Sequence, residues 1–140
     1  MIKEDCIFCK LANGIFASAT VYEDENFRAI LDINPSVKGH TIILPKNHME
    51  NLLTADEATL SKALSFTKKI ANAVKITMKA DGINVLQNNG EAAGQSVFHL
   101  HFHVIPRYND DNFIIPWKQG KYSDKEADAL AAEIASNIEK

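Results

Sequence analysis

Three histidines at alternating positions, His99, His101 and His103 in GQSVFHLHFHVIPR, constrain this chain more than any other feature, because alternation is the period of a β-strand. Phe98, Leu100, Phe102 and Val104 occupy the other parity, so a strand here is expected to bury the apolar set on one face and turn all three imidazoles to the other. A merely solvated face would mix in Lys, Glu and Thr. Imidazole supplies a nucleophile, a proton carrier near neutral pH, a hydrogen-bond donor or a metal ligand. The other two histidines, His40 and His48, fall together in GHTIILPKNH, where Ile42, Ile43 and Leu44 read as a buried strand. Two strands thus carry every histidine, as expected of residues converging on one cleft.

The chain of 140 residues is read as a single domain, 1–140. Its 46% hydrophobic and 24% charged residues are those of a globular protein, and no stretch approaches the roughly 18–20 apolar residues of a membrane span. The N-terminal MIKEDCIFCK does not resemble a secretory signal, so the cytoplasm is the expected compartment. A net charge of -3 argues against a broad nucleic-acid surface, while leaving room for a small anion neutralised locally. Neither the glycine-rich dinucleotide fingerprint nor the P-loop occurs.

Periodicity and turn residues predict a short helix over Cys6–Asn13 closed by Gly14, then strands over 20–23 and 27–33 around Asp24-Glu25-Asn26. A third strand spans 40–45 and a fourth 82–87, and Pro106 is expected to end the histidine strand. A long amphipathic helix is expected over 56–78, with Leu60, Ala63, Leu64, Thr67, Ile70, Ala71, Val74 and Met78 facing inward and Thr54 as N-cap in a capping box with Glu57. A last helix over 123–139 places Ala127, Leu130, Ala131, Ile134 and Ile138 on one face, after a loop over Asn109–Pro116. Five antiparallel strands with two or three helices make an α+β domain whose sheet is covered on one face.

Cys6 and Cys9 form a C-x-x-C, read as half of a zinc site, as a redox pair, or as two inert buried thiols. The redox reading lacks its βαβ context. Zinc needs two further ligands, and His48 with either His99 or His103 would complete a Cys2His2 shell. The three alternating histidines alone suggest instead a catalytic zinc. Against that stands the turn of Gly90, Gly94, Gln95 and Ser96, whose backbone N–H groups are expected to point at an anion, which favours phosphate chemistry. His101, flanked by the other two, is then the natural nucleophile, with His103 and Asn88 as donors to the phosphoryl oxygens. Asp32, before Ile33-Asn34-Pro35, is either a turn former or an acceptor for both hydroxyls of a ribose. Trp117 and Phe113 fit a core, a dimer contact or a base platform equally.

HLHFHVI preceded by GQSVF, together with CIFCK, VYEDE, LDINP, GHTIILPKNH and NNGEAAGQS in order, resembles the histidine triad family of nucleotide hydrolases and transferases, most of all bacterial members of its Hint branch. The resemblance implies a five-stranded antiparallel fold dimerising into a ten-stranded sheet around a purine nucleoside monophosphate. By position, His101 resembles the nucleophile, His103 and Asn88 the phosphate donors, Ser96 the hydroxyl near the leaving group and His40 a supporting histidine. Asp32 matches the ribose ligand, Phe8, Leu11, Ile30 and Ile33 the walls around the base, and Gly94 with Gln95 the phosphate loop. In members that keep the C-x-x-C, structural zinc is held by residues matching Cys6, Cys9, His48 and His99. The implied activity is hydrolysis of purine nucleoside 5′-phosphoramidates or related esters through a nucleotidyl-histidine. The alternatives are dinucleoside polyphosphate hydrolysis, or nucleotide binding in an interaction protein with little turnover.

Overall fold

The computed structural model describes residues 1–114 and 116–139. Ile115, inside the loop expected over Asn109–Pro116, and Lys140 lie outside the described residues. Helix α1 (Ile7–Ala12) is followed by β1 (Thr20–Glu23), β2 (Phe27–Leu31) and β3 (Thr41–Pro45), then α2 (Glu57–Met78), β4 (Gly82–Leu86), a 3-10 turn (Glu91–Ala93), β5 (Phe102–Arg107) and α3 (Glu126–Ser136). The strands form one antiparallel sheet in the order β1-β2-β3-β5-β4. The α+β fold of five antiparallel strands read from the sequence is therefore the fold observed. The β1–β2 turn closes on Asp24, whose carboxylate accepts the amides of Asn26 and Phe27, both at 2.8 Å.

Strand alternation divides the core between the two faces of the sheet. Phe27, Ala29, Ile43, Phe102 and Val104 point to one face and pack under α2, which contributes Ala63, Phe66, Ile70 and Val74 at helical spacing. Ile30, Ile42 and Leu44 point to the other, where α1 brings Ala12, Phe8 and Leu11 against them. The expectation of a sheet covered on one face is thus corrected: α1, itself expected from the sequence, roofs part of the second face. His103 lies opposite Ile42 of β3 and Leu86 of β4, hence on the α1 face.

Several local expectations are also corrected. The cap of α2 is Asp56, whose carboxylate accepts the Thr59 amide at 2.8 Å; Thr54 instead turns back to Asn51, because the chain bends over 51–55 before the helix starts. Leu64 is 70% exposed, and Phe66 takes the inward position that it was expected to hold. β2 ends at Leu31 rather than Ile33, and β4 at Leu86 rather than Gln87. Pro106 lies within β5, tolerated there because β3 pairs only with Phe102–Val104, so β5 has already run past that neighbour. The histidine strand begins only at Phe102, and Phe98 is 47% exposed, since the segment before it is bent rather than paired. Helix α3 is shorter than the expected 123–139; Leu130 and Ile134 of its apolar stripe are exposed, as is Ile138 beyond its end. Periodicity records an apolar stripe, not what covers it. Trp117 and Phe113 are exposed too, so neither is core. No described helix is long and apolar enough to cross a membrane.

Candidate active site and metal centre

On the α1 face a cavity of about 900 Å³ opens between α1, the end of β2 and the approach to β5. Phe8 and Leu11 of α1, with Ile30, Ile33 and Ile42 from the sheet side, form its apolar part. Asn88, Gly94 and Ser96 from the loop after β4, together with His101 and His103, form its polar end, and Asp32 stands on the rim. A large apolar recess with a few convergent polar groups is the form of a small-molecule site.

The hydrogen bonds fix which nitrogen of each imidazole carries its proton. His101 Nδ1 lies 2.7 Å from the carbonyl oxygen of His99. A carbonyl only accepts, so Nδ1 bears the hydrogen and, in the neutral ring, Nε2 holds a lone pair. Burial pushes the His101 pKa below that of a free imidazole, favouring the neutral ring, and is opposed by that carbonyl bond and by Asp32. His40 Nδ1 accepts the Ser36 amide at 3.1 Å, so neutral His40 carries its proton at Nε2, 2.9 Å from His103 Nδ1. His103 therefore accepts at Nδ1 and offers Nε2–H as a donor. Burial, with His101 and His40 adding to it, pushes His103 down to about 4, so it too is neutral. The result is a lone pair on His101 beside an N–H on His103, with ring centroids 5.0 Å apart.

His40 is buried and does not line the cavity; it acts on His103 from behind. Ser36, which sets this relay, was not singled out from the sequence, and no local signal marks a serine whose role depends on a loop folding back. Asp32 does form the expected turn, and it also stands at the cavity. One carboxylate oxygen accepts the Asn34 amide at 2.9 Å and shapes the turn, while the other lies 3.6 Å from His40 Nε2 at the cavity rim.

The loop over 90–96 turns three of the four amides expected in an anion nest to internal partners. The amides of Gly90, Gly94 and Gln95 are spent on Gln95 Oε1, the Glu91 carbonyl and the Gly90 carbonyl. Gln95 itself turns inward, donating to the Glu50 and Val97 carbonyls at 2.8 and 3.1 Å, so it braces the loop and does not line the cavity. Gly94 (φ 92) and Gly90 (φ 87) adopt the left-handed backbone that this tight loop requires. What the loop presents to the cavity is Asn88, Gly94 and Ser96.

Ligand-type atoms of Cys6, Cys9, His48 and His99 lie within 4.8 Å of one another. Cys6 Sγ is 3.4 Å from His99 Nδ1, and Cys9 Sγ is 3.4 Å from His48 Nδ1 and 3.5 Å from His99 Nδ1. With Zn–S near 2.3 Å and Zn–N near 2.0–2.1 Å, a tetrahedral shell has S···N edges of about 3.6 Å, so the spacing fits. The donor chemistry fits as well. His99 Nε2 faces the Pro45 carbonyl at 2.9 Å and carries the proton, which leaves the Nδ1 lone pair toward the sulfurs. The amides of Lys3 and Cys9 donate to the sulfurs of Cys9 and Cys6, at 3.3 and 3.4 Å. Burial raises the Cys9 thiol pKa and pushes His99 down to about 4. Of the two choices open in the sequence, His99 and not His103 joins the cysteines. The three-histidine catalytic zinc is excluded by the same partition, since His99 belongs to this cluster and His103 to Asp32 and His40.

A family model described as HIT domain matches residues 15–110. The chain belongs to the HIT family. The crystal structure of a HIT family member from Bacillus subtilis superposes with a TM-score of 0.91 at 41% identity, covering 98% of this chain and 99% of that one. A zinc-bound histidine triad protein from Mycobacterium smegmatis gives a TM-score of 0.75 at 36% identity, covering 96% and 98%. Among curated relatives, the adenylylsulfatase HINT3 of Arabidopsis thaliana is 37% identical over 140 residues, covering 98% of this chain and 71% of that protein. Within this HIT fold the histidine motif lies where the polar end of the cavity is built, and the C-x-x-C lies at the start of α1, over the same face of the sheet.

Proposed function

We propose that this HIT protein, a nucleotide-binding hydrolase at the level of its family, cleaves purine nucleoside 5′-phosphoramidates or related esters through a nucleotidyl-histidine. The observation that carries the reading is the pair of opposite tautomers on one cavity wall: a lone pair at His101 Nε2 and a proton at His103 Nε2. His101 Nε2 forms a bond to phosphorus as the bond from phosphorus to the leaving group breaks. His103 and Asn88 donate to the phosphoryl oxygens, where charge builds in the transition state. The His99 carbonyl, held on Nδ1–H, steadies the imidazolium character of the adduct. Water then attacks phosphorus, the P–N bond to His101 breaks, and the nucleoside monophosphate leaves.

In this reading Ser96 stands beside the leaving group, Asp32 holds the ribose hydroxyls, and Phe8, Leu11, Ile30 and Ile33 enclose the base. The Arabidopsis relative, an adenylylsulfatase, supports a nucleotidyl group as the one transferred. Cys6, Cys9, His48 and His99 would hold one structural zinc, a reading supported by the zinc-bound mycobacterial relative; bound there, zinc would supply a closed tetrahedral crosslink. Two free cysteines suit a reducing, cytoplasmic setting. We also read the protein as a homodimer, because β4 is an edge strand with Val85 exposed, and pairing about a two-fold axis would cover it.

The test is single-turnover kinetics on adenosine 5′-phosphoramidate and on a diadenosine polyphosphate, with trapping of the adduct. His101→Ala should lose turnover while keeping AMP affinity within a small factor, since the nucleophile bonds only in the transition state. Near-normal turnover by that variant would reject His101 as nucleophile. A faster rate on the polyphosphate would move the substrate assignment to that class, and tight AMP binding without turnover of either would make the protein a binding module.

A further inference from the structure

We propose that the Cys6–Cys9–His48–His99 cluster and the nucleotide cavity are coupled through α1 and His99, so that metal binding and nucleotide binding strengthen each other. The inference rests on the nucleotide reading above. Helix α1 is six residues long, far below the length at which an isolated helix holds in water, so its order depends on its anchors. Cys6 caps its N-terminus and Cys9 lies fully buried inside it, while Phe8 and Leu11, interleaved with the cysteines, form the wall of the cavity. One short helix thus presents half of the metal shell and much of the apolar pocket.

His99 makes the second connection. Its ring Nδ1 faces both sulfurs, and its own backbone carbonyl holds His101 Nδ1 at 2.7 Å. Whatever fixes the ring of His99 therefore fixes the carbonyl that sets the tautomer and direction of His101. The Phe8 ring stands edge-on to both, with centroids 6.1 Å from His99 and 5.0 Å from His101. Phe8 is a positioning residue in this scheme, acting on His101 by packing. A smaller cavity of about 240 Å³, lined by Cys6 and His48, shares Ile7, Ser96 and Val97 with the nucleotide cavity, so the two sites have a common wall. Ordering α1 and the His99–His101 segment costs conformational entropy once. Whichever ligand binds first meets that cost, and the second binds more tightly.

The experiment uses the full chain. AMP is titrated calorimetrically into zinc-loaded and metal-free protein, and zinc affinity is measured against a chromophoric chelator with and without AMP. The expected result is AMP binding about tenfold tighter to the loaded form, with AMP raising zinc affinity by the same factor, as reciprocity demands. Equal AMP affinities in two folded forms would overturn the coupling. Should the metal-free protein unfold, cobalt(II)-substituted protein decides. Its visible bands report the S2N2 shell and should shift when AMP binds, and an unchanged spectrum would overturn the proposal. Phe8→Leu keeps all four ligands and should shrink the increase in zinc affinity that saturating AMP produces. Failure of zinc-loaded wild type to bind AMP at all would overturn the nucleotide reading itself, and the coupling with it.

Discussion

Replacing His40 by Ala tests the proton relay without touching a cavity-lining group. The ring of His40 is 6% exposed, with Nε2 2.9 Å from His103 Nδ1 and Nδ1 accepting the Ser36 amide at 3.1 Å. Its removal leaves an acceptor on His103 and a donor on Ser36 without partners. Each such group costs about 1–3 kcal/mol, and water entering the gap recovers part of this, so stability should fall by about 2–4 kcal/mol. The effect on catalysis is a separate quantity. A net hydrogen bond of about 1 kcal/mol biases the His103 tautomer about fivefold toward Nε2–H. Without it, rings carrying a lone pair toward the phosphate compete with the donor form. The bias lost is about fivefold, so kcat/KM should fall about two- to fivefold, well short of the roughly 10²–10³ that complete loss of one such donor costs in kcat. His40→Gln separates the two effects, because its amide N–H reaches toward His103 Nδ1 while the Ser36 amide stays unpaired. The glutamine variant should recover most of kcat/KM yet remain less stable in thermal melts. Equal kcat/KM losses in both variants, or none in the alanine variant, would refute the relay.

Acidification should destabilise the fold between about pH 6.5 and 4. His103 titrates near 4 folded against 6.5 unfolded, so within that window the unfolded chain binds more protons; its contribution is fully present above 6.5 and lost as pH falls through the folded value. Discounted for partial exposure, this is about 2 kcal/mol, and His103→Gln should narrow the difference between denaturation free energies at pH 7 and 4.5 by that amount. An undiminished acid loss in the variant would assign it to other groups. If the edge of β4 pairs as proposed, sedimentation velocity at low micromolar concentration should give a dimer, and a monomer there would remove the ten-stranded sheet from the proposal.

The alternation of three histidines with large apolar residues, the confinement of the other two to one strand segment and the C-x-x-C near the start were all local patterns, set by the period of the strand and by spacing along the chain. They were enough to read the fold class, His101 and His103 at the cavity, and the limits of most elements. Even there the strand period overreached: residues 98–101 keep the alternation but not the pairing, and Phe98 emerges exposed. Distribution of the histidines among partners was beyond such patterns. His99 meets Cys6 across 93 residues of chain and His103 meets His40 across 63, contacts that exist only once the sheet has brought β3 and β5 together. The same holds for Gln95, whose inward turn depends on the Glu50 carbonyl 45 residues away, and for the choice of Asp56 over Thr54, which the bend before α2 decides. Periodicity is a property of neighbours in the chain and survives in any environment. The protonated nitrogen of each imidazole is chosen by the group opposite it, and only the tertiary fold puts that group there.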